Sequence, residues 1–310
     1  MRKPVLSLAL LAIGWLLSAV SAQAQPIRAY VALTGSDANP CTFASPCKSA
    51  QHAHDVVAAG GEVRLLDPGS YGLLTITKAI SILGDGHGGI AAQNNNSAIT
   101  ISAGANDRIN LRGLVLEGFG TGATGISFIS GASLNIQDTI IRNFKFNGIA
   151  FITASAAELH VSQTLISDLD PANGFAIEIN AQPGSPGLNA FLDHVTLKIG
   201  DVGLAVENQS TGNLNVAISD SIISKYVYGV LVSPPTGPIN VVVRNCTVTN
   251  NGTGILSQGS PTHVRVTKST ITANGTGLSS ASSGSLISYG DNNIDGNTTD
   301  GAPTSTTLLK

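Results

Sequence analysis

Two glutamates and four nearby charges are the side chains of this chain best suited by type and spacing to do chemistry. Asp168 and Asp170 precede Glu178, and Lys198 and Asp201 precede Glu207. Only 11% of the residues are charged, so such clustering stands out. Two close carboxylates can split their proton affinities and act as acid and base, or as acid and nucleophile. A set of oxygen ligands can instead hold Ca²⁺. A neighbouring lysine could neutralise an acidic substrate or take up a proton. The competing reading is that these are solvated turn charges on the widest repeats, where insertions tolerate polarity.

What must position them is a repeat. Leu111-Arg112-Gly113-Leu114-Val115-Leu116 is followed by equivalents starting at Ile136, Val161, Leu192, Ile218, Val243, Val266 and Tyr289. The intervals are 25, 25, 31, 26, 25, 23 and 23 residues. Short alternating strands at that period predict a solenoid whose coils stack on one continuous core. Each coil reads as three strands. A polar column (Gly113, Asp138, Gln163, His194, Asp220, Asn245, Lys268 and Asp291) marks the first turn, where a left-handed residue is expected. A glycine column (Gly125, Gly148, Gly174, Gly203, Gly229, Gly254 and Gly277) announces the third strand. The apolar residue after each glycine, Phe175 and Leu204 among them, is expected inside. Counting on from there turns Glu178 and Glu207 outward, on adjacent coils about 4.8 Å apart. A buried glutamate pair would be costly, which also favours the outward register.

The ends of the chain are read separately. Arg2 and Lys3, the apolar run Val5–Val20 and Ala22-Gln23-Ala24 make residues 1–24 a signal peptide. The run is short for a membrane span, so none is expected after cleavage. Losing Arg2 and Lys3 takes the net charge from −3 to −5. No basic stripe remains, which disfavours nucleic acid as a partner. The sole tryptophan, Trp15, leaves with the leader, so a dedicated aromatic carbohydrate-binding module is disfavoured. Residues 25–61 are expected to hold one strand, a Cys41–Cys47 disulfide and a capping helix over 46–59. That helix starts at Ser45-Pro46, stops at Gly60-Gly61, and carries His52 and His54 on the surface. Residues 62–301 are the coils and 302–310 a polar tail. Cys246 falls in a column of small or apolar residues and is expected to be a buried packing thiol. Asp291-Asn292-Asn293-Ile294-Asp295-Gly296 matches half of a calcium loop but has Ala302 where a bidentate glutamate is required. No residue set is read as a metal site, and Ca²⁺ at the carboxylate face is the one cofactor the sequence suggests.

The repeats resemble the right-handed parallel β-helix proteins of the pectate-lyase-like superfamily. The entry segment adds to this. Tyr30-Val31, Gly35, Asp37, Asn39-Pro40, Ser45-Pro46, Gly60-Gly61 and Leu66-x-Pro68-Gly69-x-Tyr71 resemble the opening of secreted bacterial β-helix proteins. The resemblance implies an all-β, single-stranded right-handed parallel β-helix of about nine coils, secreted or periplasmic, and monomeric. It would also suggest uronate lyases or polygalacturonase-like hydrolases. Of the polygalacturonase motifs only Gly86-His87-Gly88 is present, and it reads as a glycine-rich turn. The Arg-x-Pro-x-x-Arg signature of pectate lyases is missing. The leading expectation is a protein that contacts extracellular polysaccharide or a cell surface along one long face. The alternatives are a polysaccharide lyase or glycoside hydrolase at the Glu178/Glu207 face, and an adhesin-like scaffold.

Overall fold

The computed structural model describes residues 25–307. The signal-peptide reading of 1–24 lies outside them. The chain winds into a right-handed parallel β-helix of about nine coils, the hand expected of parallel crossovers. Every coil contributes one strand to each of three parallel sheets. Sheet A has twelve strands, beginning with Arg28–Val31 and Gly61–Leu65. Sheet B has ten short strands, among them Leu165–Ser167 and Thr196–Lys198. Sheet C has nine, among them Asn147–Thr153, Phe175–Ala181 and Val202–Asn208.

Strand alternation fills the interior. Ile109, Leu134, Leu159, Ala190, Val216 and Val241 follow one another up the inside of sheet A, all buried. Phe128 and Phe151 stack inside on adjacent coils with ring centroids 4.4 Å apart, just under the usual range for aromatic pairs. The first turn takes the left-handed conformation in the expected column from Gly113 to Lys268, even at Gln163 and His194, but in the last coil Gly290 takes it in place of the expected Asp291. The glycine column has a steric cause. A Cβ on Gly148 would lie 2.5 Å from Ile166 Cγ2 and 2.6 Å from the Ala176 carbonyl oxygen.

One coil departs from the expected register. Asn147 pairs with Phe175, and Ile149 with Ile177, so Ala176 and not Gly174 takes the inner corner. The longer turn through Asp168–Asn173 absorbs Gly174. Phe175 is therefore half-buried at a strand start and not inside.

The capping helix is Ala50–Val56, shorter than the expected 46–59. Ser49 caps it, its hydroxyl accepting from the His52 N–H at 3.2 Å. Pro46 cannot open the helix because Cys47 is committed elsewhere. Cys47 is joined to Cys41 in the expected disulfide, and its backbone pairs with Val31. Ala50, Ala53 and Val57 continue the solenoid core. Two side chains then close the exposed edge of sheet C. The Gln51 amide oxygen accepts from the Thr75 N–H at 2.7 Å, and His54 Nε2 accepts from the Thr77 N–H at 3.2 Å. His54 is 2% exposed, a correction to its expected surface position. At the other end the polar tail turns back, and Ser305–Thr306 adds a last short strand to sheet A.

Candidate functional site

Glu178 and Glu207 both point out of sheet C, because Ile177, Ile179, Leu204 and Val206 on either side of them point in. They do not share a row. Glu178 pairs with Ala205, and Glu207 pairs with Asn180 of the preceding coil. The two glutamates are thus diagonal neighbours. A coil spacing of about 4.8 Å and a strand rise of about 3.3 Å per residue put their Cα atoms about 8 Å apart.

Asparagines hold the pair. Asn147 Nδ2 donates to Glu178 at 2.6 Å, and Asn180 Nδ2 donates to Glu207 at 2.8 Å. Gln182 donates to Asn180 Oδ1 at 3.0 Å, which fixes the orientation of that amide. Ser233 Oγ reaches Glu207 at 3.4 Å. The face is recessed: Asn180 is 4% exposed, and outward Ala150 and Ala205 are buried. Burial pushes the Glu178 carboxyl above the usual range, and repulsion from Glu207 adds to this, while hydrogen bonds from Asn147 and Asn180 oppose it. A carboxyl inclined to keep its proton beside a second carboxylate is a recognisable acid–base arrangement.

The other four sequence candidates form a separate group, in the turn from sheet B to sheet C. Asp168 sits at the left-handed residue that ends the sheet B strand, equivalent to Asn143, Lys225 and Asn250 in other coils. Its carboxylate accepts from Ser167 Oγ at 2.7 Å. The Asp170 carboxylate accepts from the Ala172 N–H at 2.8 Å. Asp201 is raised by partial burial and by Asp170. Lys198 is exposed, and among the described residues no ion pair holds it. None of these four is among the groups that set the ionisation of Glu178. Sequence reasoning found the glutamates and missed Asn147 and Asn180. Asn180 carried a signal, as the outward residue two places past Glu178; Asn147, which pairs with Phe175 and shares the parity of inward Ile149, carried none.

Other sequence features are structural. Cys246 is buried, its thiol donating to the Arg244 carbonyl at 3.2 Å, and burial pushes it up to about 11. Asp291 accepts from Thr267 Oγ1 and the Lys268 N–H, and Asn292 donates to the Val266 carbonyl. Those side chains are occupied with the preceding coil.

A stacked-coil solenoid with a polar, amide-lined outer face defines the class: a parallel β-helix. Within it the chain belongs to the NosD family, described as periplasmic copper-binding proteins, whose model matches residues 123–307. That places the protein outside the cytoplasm. Among the described residues no helix is long and apolar enough to cross a membrane. Among curated sequences no relative matches the chain.

Solved structures share the coil architecture at low identity. Pectate lyase Pel9A is 14% identical, over 86% of this chain and 70% of that one, with a TM-score of 0.46. ORF18 of Geobacillus virus E2 is 14% identical over 80% of this chain and 54% of that one, TM-score 0.49. The present chain spans about half of that protein. The A-module of the Azotobacter vinelandii mannuronan C-5 epimerase AlgE4 is 10% identical over 81% of this chain and 91% of that one, TM-score 0.32. Likeness at this level says nothing about activity.

The copper in the family description can be tested against the donors present. Copper sites use imidazole, thiolate or thioether ligands. The sole methionine is Met1. His160, His194 and His263, the histidines of the matched region, join no convergent group of three ligating side chains among the described residues. The one such group is Cys41, Cys47 and His52, and its sulfurs are joined in the disulfide. Disulfide sulfurs are not thiolates. The residues do not fit a resident copper ion.

Proposed function

We propose that this is a periplasmic polysaccharide-binding β-helix whose ligand lies across the recessed face of sheet C, centred on Glu178 and Glu207. The observation that carries this reading is the outward carboxylate pair held by Asn147 and Asn180. Carboxylates and primary amides offer paired acceptors and donors suited to sugar hydroxyls. Half-buried Phe175 and Tyr228, at strand starts two coils apart with Val202 between them, offer apolar surface for sugar rings. No lysine or arginine contributes to the charge environment of Glu178. A uronate would therefore meet only like charge, so the ligand is a neutral glycan; an acidic one would need Ca²⁺ as a bridge. The family description and the disulfide support an oxidising, extracytoplasmic location.

A second reading, glycoside cleavage, is favoured by the upward shift of Glu178 beside Glu207. One carboxyl would donate a proton to the leaving oxygen, and the other would act as base or nucleophile.

Calorimetric titration with neutral and acidic oligosaccharides, with calcium and with chelator, tests the binding reading. An assay for new reducing ends tests cleavage. The variant Glu178→Gln with Glu207→Gln should lose one binding site per chain while keeping its β-rich circular dichroism. Unchanged stoichiometry in that variant would refute the site.

A further inference from the structure

Sheet A presents a different surface, on the side of the coil away from the carboxylate pair. At the start of its strands one row runs Arg108, Ser133, Glu158, Asn189, Asn215, Asn240. Two residues on, a second row runs Asn135, His160, Phe191, Ala217, Val242. A groove of about 500 Å³ opens over the first row at Arg108, Ser133 and Glu158. A second hollow of about 230 Å³ continues it at Asn189 and Asn215. Glu158 and Asn189 are partners on adjacent strands, so the two hollows are consecutive along the solenoid axis.

The chemistry of the rows differs. Asn240 donates to Asn215 at 3.2 Å, and Asn215 donates to Asn189 at 3.1 Å. Asn189 and Asn215 are exposed, and each amide keeps a free N–H and an oxygen lone pair for a ligand. Beside this ladder, Phe191 is 45% exposed and stacks on the His160 ring at 5.0 Å, with planes 19° apart. Ala217 and Val242 extend the apolar row. An exposed phenylalanine on a flat sheet, with an imidazole aligned beneath it, is an unsatisfied apolar platform.

We infer that this face is a second, non-catalytic binding track for a linear neutral polysaccharide lying parallel to the solenoid axis. A sugar ring carries C–H groups on its faces and hydroxyls on its rim. The His160–Phe191–Ala217–Val242 row meets the first, and the amide ladder meets the second. Charge argues for a neutral chain, since Arg108 and Glu158 balance within the groove. Length argues for a polymer, since the row from Arg108 to Asn215 crosses five strands, about 19 Å at 4.8 Å per coil.

The experiment is titration of the whole mature protein with β-linked gluco-oligosaccharides of increasing length and with polygalacturonate. Affinity should rise with length and then level off once the track is filled, and polygalacturonate should bind no better than background. Phe191→Ala, and separately Asn189→Ala with Asn215→Ala, should each weaken binding about tenfold. These positions are exposed, and melting temperature should stay unchanged. Glu178→Gln with Glu207→Gln should leave this site intact, so the two sites succeed or fail separately. Length-independent binding, or full affinity in the sheet A variants, would overturn the track. So would a dimer in sedimentation that Phe191→Ala dissolves while no glycan binds, which would make a second copy the occupant.

Discussion

On sheet A, exposed Asn189 and Asn215 and half-buried Asn240 pass hydrogen bonds from coil to coil; on sheet C, Asn180 does comparable work at 4% exposure. The same coils, the same core and the same residue type thus produce two unlike surfaces. An exposed amide can exchange its partner for water or ligand at little cost. A buried one cannot, because the group left behind has no water to turn to. Sheet A is therefore suited to reversible contact with a long ligand. Sheet C is suited to holding a few groups in fixed geometry.

The sharpest test of that contrast is a pair of identical substitutions. Asn180→Ala strips Glu207 of its amide donor and leaves Gln182 unpartnered, and should cost on the order of 2 kcal/mol by urea denaturation. Asn215→Ala on sheet A should change stability by less than about 0.5 kcal/mol. Equal costs would remove the distinction between the faces. A second test uses pH. The folded chain holds the Glu178 proton more tightly than the unfolded chain does. The stability contributed is fully present below the ordinary glutamate value of 4.5 and is lost as pH rises through the folded value. Glu178→Gln should therefore melt increasingly above the parent as pH rises over that window, and no equivalent trend should follow from changes on sheet A.

Smaller effects probe the turns between the faces. Ile199 has φ +70° where other coils place Asn143 or Asn250. A β-branched residue is strained there. Ile199→Asn should raise stability by up to about 1 kcal/mol, read as a shift in denaturation midpoint. The smallest change belongs to Cys246. Its column holds Ser221 and Ser269, whose hydroxyls bond the carbonyl two residues back just as the thiol does. Cys246→Ser should cost less than about 1 kcal/mol, since the new hydroxyl has its acceptor waiting. The native thiol should label slowly, being buried and protonated. Rapid labelling would contradict its place in the core.

The coils were legible in the sequence because each steric demand recurs at every turn. A left-handed residue closes the first corner, and a residue without bulk fills the second. The candidate site was only partly legible. The outward direction of Glu178 and Glu207 followed from strand alternation, but their diagonal relation did not. The insertion through Asp168–Asn173 displaced Gly174 from its column, and Ala176 replaced it. The helix start was misplaced for a nonlocal reason. Cys47 is tied to Cys41 and Val31, and Asp37 accepts from the Lys48 and Ser49 N–H groups. Nothing local to Ser45-Pro46 reveals those partners.

The contacts of Gln51 and His54 with Thr75 and Thr77 bear on how the molecule behaves in a crowd. A parallel sheet of nine strands ends in a row of unmatched donors and acceptors, which invites another chain to dock end to end. Two side chains from one short helix occupy that row at the start of sheet C. Their loss would leave the Thr75 and Thr77 N–H groups of the first coil open to a strand of another chain.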